Sequence, residues 1–135
     1  MKFQYFVFID KIIKSINKQF PKQCSCGFIF YDVIDFIENT TLPADQNLMI
    51  CNEHVYEILD LRNCNQCHST RSIKYLLNNQ DKKILLRYIY EDIEKYQMNE
   101  DVFLQMFRDT VFNKIKETHN DKQKYYNIKI LDNRI

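Results

Sequence analysis

Cys51-Asn-Glu-His54-Val-Tyr-Glu-Ile-Leu-Asp-Leu-Arg-Asn-Cys64-Asn-Gln-Cys67-His68 is the stretch on which the fold turns. It carries two short ligand pairs, Cys51/His54 and Cys64/Cys67, and a third pair, Cys24-Ser-Cys26, lies upstream. The three pairs hold all five cysteines and one of the three histidines. Thiolate and neutral imidazole are the preferred ligands of a tetrahedral zinc ion. An odd cysteine count in close pairs fits metal binding better than a disulfide framework. Cysteines also pack as small hydrophobes, but three close pairs in one region favour the metal.

Working outward, residues 3–20 carry Phe6, Ile9, Ile12, Ile13, Ile16 and Phe20, closed by Pro21. This i, i+3, i+4 spacing predicts an amphipathic N-terminal helix over 1–20. Residues 21–68 form the metal module. Within it, Phe28–Tyr31 suit a short strand, Val33–Ile37 a helical turn or two, and 39–47 a loop. The spacing from Val55 to Leu61 predicts a helix that Cys51 and His54 would begin. The remainder, 69–135, reads as helical. Ser69 or Ser72 would cap a helix carrying Ile73 and Tyr75, Asp81 the next, and Asn99 a third. That third helix carries Phe103, Phe107, Val111 and Ile115 at four-residue spacing. A polar hinge at 118–124 then leads to a short C-terminal strand, where Tyr126, Ile128 and Ile130 alternate with polar residues. The expected fold is therefore mostly α, one unit over 1–135, with a small zinc-stapled α+β module.

Ligand order narrows the site. Cys24 and Cys26 precede a strand, and Cys51 and His54 would sit in a helix's first turn, where the dipole favours thiolate. That is the treble-clef arrangement. It gives Cys24, Cys26, Cys51 and His54 as one complete site, closed to water and hence structural. A competing partition joins Cys24, Cys26, Cys64 and Cys67 in an all-thiolate site. Otherwise Cys64 and Cys67 bind a second ion with His68 and one further ligand, or stay free.

Over residues 24–68 the chain resembles a degenerate RING finger. Cys24/Cys26 match that family's first ligand pair, Cys51/His54 the third and Cys64/Cys67 the fourth. The second pair is missing, since Gln46, Asn47 and Leu48 stand where it would fall. The resemblance implies zinc as cofactor and raises ubiquitin ligase or adaptor activity as an alternative function. The family's groove residues match poorly: Gly27 and Phe28 follow the first pair, Tyr56 is the only aromatic in the expected helix, and Asn65-Gln66 replaces the usual proline. As a whole the chain also resembles the small RING-like proteins of baculoviruses and related large DNA viruses that serve nucleocapsid assembly. That likeness implies a virion setting and protein partners within a larger assembly, while cysteines kept free for metal point to an intracellular, reducing compartment, cytoplasm or nucleus.

Cys64-Asn-Gln-Cys67-His68 also matches the c-type haem attachment motif, with His68 as axial ligand. This second alternative leaves the other two pairs unexplained. Elsewhere the chemistry is thin. A single glycine, Gly27, precludes a glycine-rich phosphate loop. His119 reads as a solvated residue, and Glu91, Asp92 and Glu94 as a solvated helix face. The charge is balanced, 19 Lys and Arg against 18 Asp and Glu, which argues against a non-specific nucleic-acid binder. No window approaches the roughly 18 apolar residues of a membrane span, and the N-terminal apolar run is too short for a signal peptide. Nine Tyr and ten Phe exceed what a small core readily hides. Tyr88, Tyr90, Tyr96, Tyr125 and Tyr126 are the interface candidates, because aromatics concentrate in interface cores. The expected function is a non-enzymatic, zinc-stabilised interaction or assembly protein.

Overall fold

The computed structural model describes residues 4–43, 48–51 and 57–134, the side chains of Cys51 and of 125–134 excepted. Chain order is α1 (Gln4–Asn17), β1 (Lys22–Gln23), β2 (Ile29–Phe30), α2 (Val33–Glu38), β3 (Thr40–Thr41), β4 (Leu48–Cys51), β5 (Glu57–Cys64), β6 (Thr70–Lys74), α3 (Asn79–Lys95) and α4 (Glu100–Arg134). The architecture is α+β, with a larger share of sheet than a mostly helical chain would have. No described helix is long and apolar enough to cross a membrane.

β5 organises the sheet. Asp60 pairs with Leu48 of β4 and Ile73 of β6, and Asn63 pairs with Thr41 of β3 and Thr70 of β6, all antiparallel. Since a strand has two edges, β3 and β4 follow one another along one edge and β6 occupies the other. β1 and β2 form a separate two-stranded hairpin.

The helix expected over 55–61 is corrected to strand wherever it is described, from Glu57 on. The burial of β5 alternates: Ile58, Asp60, Arg62 and Cys64 are buried, and the residues between them are less so. Two of the four inward residues are charged, so a hydropathy pattern conceals the period of two. The helix expected to start at Ser69 or Ser72 is likewise a strand, β6. Its Ile73 faces the core, as does Tyr75 just beyond its end. Asn78, not Asp81, caps α3; its Oδ1 accepts the Asp81 N–H at 2.8 Å.

α4 matches its pattern, and α1 does so except at Phe6, which is exposed, and Ile13, which is partly buried. Ile9, Ile12 and Ile16 are fully buried, as are Phe107 and Val111. Tyr5 stacks among Tyr88, Phe103 and Phe107 with ring centroids 6.0–6.3 Å away. Asn99 caps α4, accepting the Asp101 N–H at 2.8 Å. The C-terminal strand and the hinge before it are corrected: α4 runs unbroken to Arg134. No Gly or Pro occurs after Pro43, so nothing in 118–130 stops a helix. At 1.5 Å per residue its 35 residues span about 52 Å.

The inward charges of β5 are held by a polar network. Arg62 Nε donates to Thr40 Oγ1 at 2.6 Å, and Thr40 Oγ1 donates to the Phe36 carbonyl at 2.6 Å. The Arg62 guanidinium also lies over the Phe112 ring at 5.5 Å. Tyr75 donates its phenol to Asp60 Oδ2 at 3.0 Å, while Asp60 Oδ1 has no hydrogen-bond partner among the described residues. Burial pushes the Asp60 carboxyl up to about 7, against the opposing pull of Tyr75, Arg108 and Arg62. The folded state therefore holds this proton more tightly than the unfolded chain, where an aspartate titrates near 3.9. Below about pH 4 both states are protonated and Asp60 costs nothing. Stability drains away as pH rises through 4 to 7. Asp60→Asn removes this titration. The stability difference, variant minus wild type, should grow by on the order of a few kcal/mol from pH 4 to 8, as measured by urea unfolding.

Candidate metal centre

Two hairpin turns build the site. The first joins β1 to β2: the Gly27 N–H donates to the Cys24 carbonyl at 2.9 Å, and the Cys24 N–H to the Phe28 carbonyl at 2.8 Å. Its tight reversal needs a left-handed residue after Cys26, and Gly27 supplies it at φ +96. The second joins β5 to β6: the His68 N–H donates to the Cys64 carbonyl at 2.7 Å, and the Cys64 N–H to the Ser69 carbonyl at 2.9 Å. Here His68 takes the same position, after Cys67, at φ 63. A non-glycine residue there costs roughly 1–2 kcal/mol, which the hydrogen bonds on either side offset.

The two turns face each other. Cys24, Cys26, Cys64 and Cys67 bring their four Sγ atoms within 4.8 Å of one another. Cys24 Sγ is 3.5 Å from Cys67 Sγ, and Cys26 Sγ is 3.9 Å from Cys64 Sγ. Metal–sulfur bonds of about 2.3 Å at tetrahedral angles put sulfurs about 3.8 Å apart. The observed separations bracket that value, and both exceed the 2.0–2.1 Å or so of a disulfide. The four thiols can therefore hold one metal ion. Cys24 and Cys64 are buried, whereas Cys26 and Cys67 are exposed.

The local field favours thiolates unequally. The Cys26 backbone N–H pulls the Cys24 thiol down to about 6, against desolvation, with help from the Ser69 hydroxyl and the Cys67 thiol. The Ser69 hydroxyl, with its backbone N–H, likewise lowers Cys67. The Phe28 N–H favours the Cys26 thiolate, but desolvation and the thiols of Cys24, Cys67 and Cys64 outweigh it and push Cys26 up to about 11. Four sulfurs this close cannot all ionise unless a cation shares their charge.

The structure thus brings together the first and last of the three ligand pairs, which is the competing all-thiolate partition. The middle pair is placed differently. Cys51 ends a strand rather than beginning a helix, and its backbone pairs with Glu57. Cys64 lies at the other end of β5, seven residues on, or about 23 Å at 3.3 Å per residue. That register keeps Cys51 from sharing an ion with Cys64. His54 lies outside the described residues.

The tyrosines fall into three settings. Tyr88 is half-buried, packed against Tyr5 and Phe8. Tyr90 and Tyr96 are 43% and 57% exposed on α3 and just beyond it, Tyr90 donating to Glu100 Oε1 at 3.1 Å. The side chains of Tyr125 and Tyr126 lie outside the described residues. Asp92, read as solvated, is instead buried and accepts the Tyr5 phenol at 2.7 Å. His119 is half-buried on α4 and lines a groove of about 400 Å³ with Ile13, Phe20, Ile34, Ile115 and Lys122. Asp32 also lines it, but its carboxylate already caps α2 through the Asp35 N–H.

Sequence reasoning missed Ser69, whose Oγ lies 2.9 Å from Cys67 Sγ and 3.7 Å from Cys24 Sγ. The only available signal was its position two residues after Cys67. It also missed Asp60, Arg62 and Arg108, because charges on a buried face imitate a solvated one.

Compared with known protein families, with curated proteins and with solved structures, the chain matches none.

The geometry separates the cysteines by experiment. Cys24→Ser and Cys64→Ser should each abolish stoichiometric metal binding and lower the melting temperature by several degrees or more. Cys51→Ser should keep one ion per chain. Metal analysis of the three purified variants, with thermal melts, checks this.

Proposed function

We propose that this is a non-enzymatic, zinc-stabilised interaction protein, a component or adaptor of a larger protein assembly. The observation that carries the reading is the closed set of four thiols. With Cys24, Cys26, Cys64 and Cys67 all bound, a tetrahedral ion keeps no position for water or substrate, which suits a structural role. Zinc is the favoured ion because four thiolates in a tetrahedron select zinc or iron, and zinc brings no redox chemistry. In this reading the metal fastens the β1–β2 turn to the β5–β6 turn. The helices then present surface, including the exposed Tyr90 and Tyr96 on and beside α3. A place in viral nucleocapsid assembly is the setting that the whole-chain resemblance suggests, and it rests on that resemblance alone.

The ubiquitin-ligase alternative draws on the same cysteines. A RING cross-brace needs two ions, with the first ligand pair joined to the third. The side-by-side placement of Cys24/Cys26 and Cys64/Cys67 suits a single-ion module better. The haem alternative asks Cys64 and Cys67 to form thioethers. Their sulfurs instead lie against Cys26 and Cys24, and Cys64 is fully buried.

Protein purified without added metal should carry one zinc per chain. Removing it with a strong chelator should lower the melting temperature and expose the thiols to a colorimetric reagent, with zinc restoring both. Protein that is stably folded with no bound metal would contradict the reading. An autoubiquitination assay across a panel of conjugating enzymes should give no chains; chain formation lost on Cys24→Ser would favour the ligase.

A further inference from the structure

We infer that Ser69 and Arg71 form a hydrogen-bonded arm that delivers positive charge to the thiolate cluster and sets its metal affinity. Both act as positioning residues of the metal centre. The inference rests on the metal reading above and names how the chain balances the charge of that site.

The need comes from arithmetic. Four thiolates and one divalent cation leave a net charge of −2, half-buried between two turns. Water reaches the exposed Cys26 and Cys67 but reaches Cys24 and Cys64 poorly, since both are buried. An uncompensated charge in such a place is costly.

The arm is built from donors in series. Arg71 Nη2 donates to Ser69 Oγ at 3.1 Å and to Ser25 Oγ at 3.3 Å. Ser69 has one hydroxyl proton, and its nearest acceptor is Cys67 Sγ at 2.9 Å; Cys24 Sγ, at 3.7 Å, is the second choice. Accepting from a guanidinium polarises the Ser69 O–H and strengthens its bond to sulfur. Through Ser25 the same guanidinium grips the turn between Cys24 and Cys26. One cation thus touches both turns that supply the ligands.

Arg71 also lacks another role. Among the described residues no carboxylate forms an ion pair with it, and its Nε is buried without a hydrogen-bond partner. A half-buried guanidinium with no anion beside it is unusual, because burial of a charge is tolerated when it is paired. The thiolate cluster supplies the missing negative charge.

The test compares zinc affinity of the full chain, wild type against Ser69→Ala, Arg71→Met and Arg71→Lys, by competition with a chromogenic chelator. Loss of an outer hydrogen-bonding partner of a metal ligand costs roughly 10–100-fold in affinity. Ser69→Ala and Arg71→Met should each fall in that range. Their double variant should lose less than the product of the two, because they act in one chain. Arg71→Lys should recover part of the loss, keeping the charge but not the fork. A second readout separates this role from mere packing. The zinc-loaded variants should be alkylated by iodoacetamide several-fold faster than wild type, since a thiolate without its donor is more nucleophilic. Affinities within twofold of wild type with unchanged alkylation rates would overturn the inference. Should Arg71→Met fail to fold by circular dichroism, Ser69→Ala and Arg71→Lys decide it alone. Failure of the wild-type chain to bind zinc would be read in the same titration; it removes the metal reading itself and this inference with it.

Discussion

Four sulfur atoms within 4.8 Å of one another sit where two turns meet that lie some forty residues apart in the chain. The first turn is too small to be stable by itself, since β1 and β2 contribute two residues apiece. The contact between Cys24 and Cys67, 43 residues apart, closes a loop containing β2, α2, β3, β4 and β5. Closing such a loop is entropically costly, and an ion held by the four thiols would supply an interaction strong enough to offset it. With an ion bound there, the segment from β2 to β5 would be pinned at both ends, by that closure and by the strand that reaches it.

That strand is β5. Cys64 can meet Cys26 only if β5 is held in register along its whole length. Its inner face does this with polar groups as well as apolar ones. Ile58 and Cys64 pack, while Asp60 and Arg62 are tied to Tyr75, Thr40 and the Phe112 ring. Such a network is more directional than an apolar face. A slip of one residue would turn Asp60 and Arg62 outward and aim Cys64 away from its partners. The cost is an aspartate whose charge is disfavoured where it sits. Register is thereby specified at the expense of stability.

Much of the helical frame was legible in the chain. The isoleucines of α1 and the four-residue spacing from Phe103 to Ile115 announce one buried stripe each, and both are buried. Asn99 could be recognised as a cap because it stands directly before Glu100 and Asp101. The sheet was not legible, for an identifiable reason. Asp60 and Arg62 occupy inward positions where a strand pattern expects apolar residues, so β5 imitated the polar side of a helix. β6 was hidden for a different reason, since Ile73 is its only buried residue and one apolar position displays no period. At the far end, alternation over 126–130 imitated a strand where the absence of any breaker lets α4 continue.

The candidate site was half legible. Residue types and short spacings point to the region of the thiol cluster and to all four of its cysteines. Which pairs come together depends on the strand register, and a chain read without its sheet cannot supply that. Ligand order alone favoured Cys51 and His54 as the partners of Cys24 and Cys26. Strand β5 instead separates Cys51 from Cys64 by most of its length and delivers Cys64 and Cys67 to the first pair. The most direct measurement is X-ray absorption at the zinc edge on the metal-loaded full chain. The account predicts four sulfur neighbours at about 2.3 Å. Three sulfurs with one nitrogen, the nitrogen lost on His54→Ala, would contradict it.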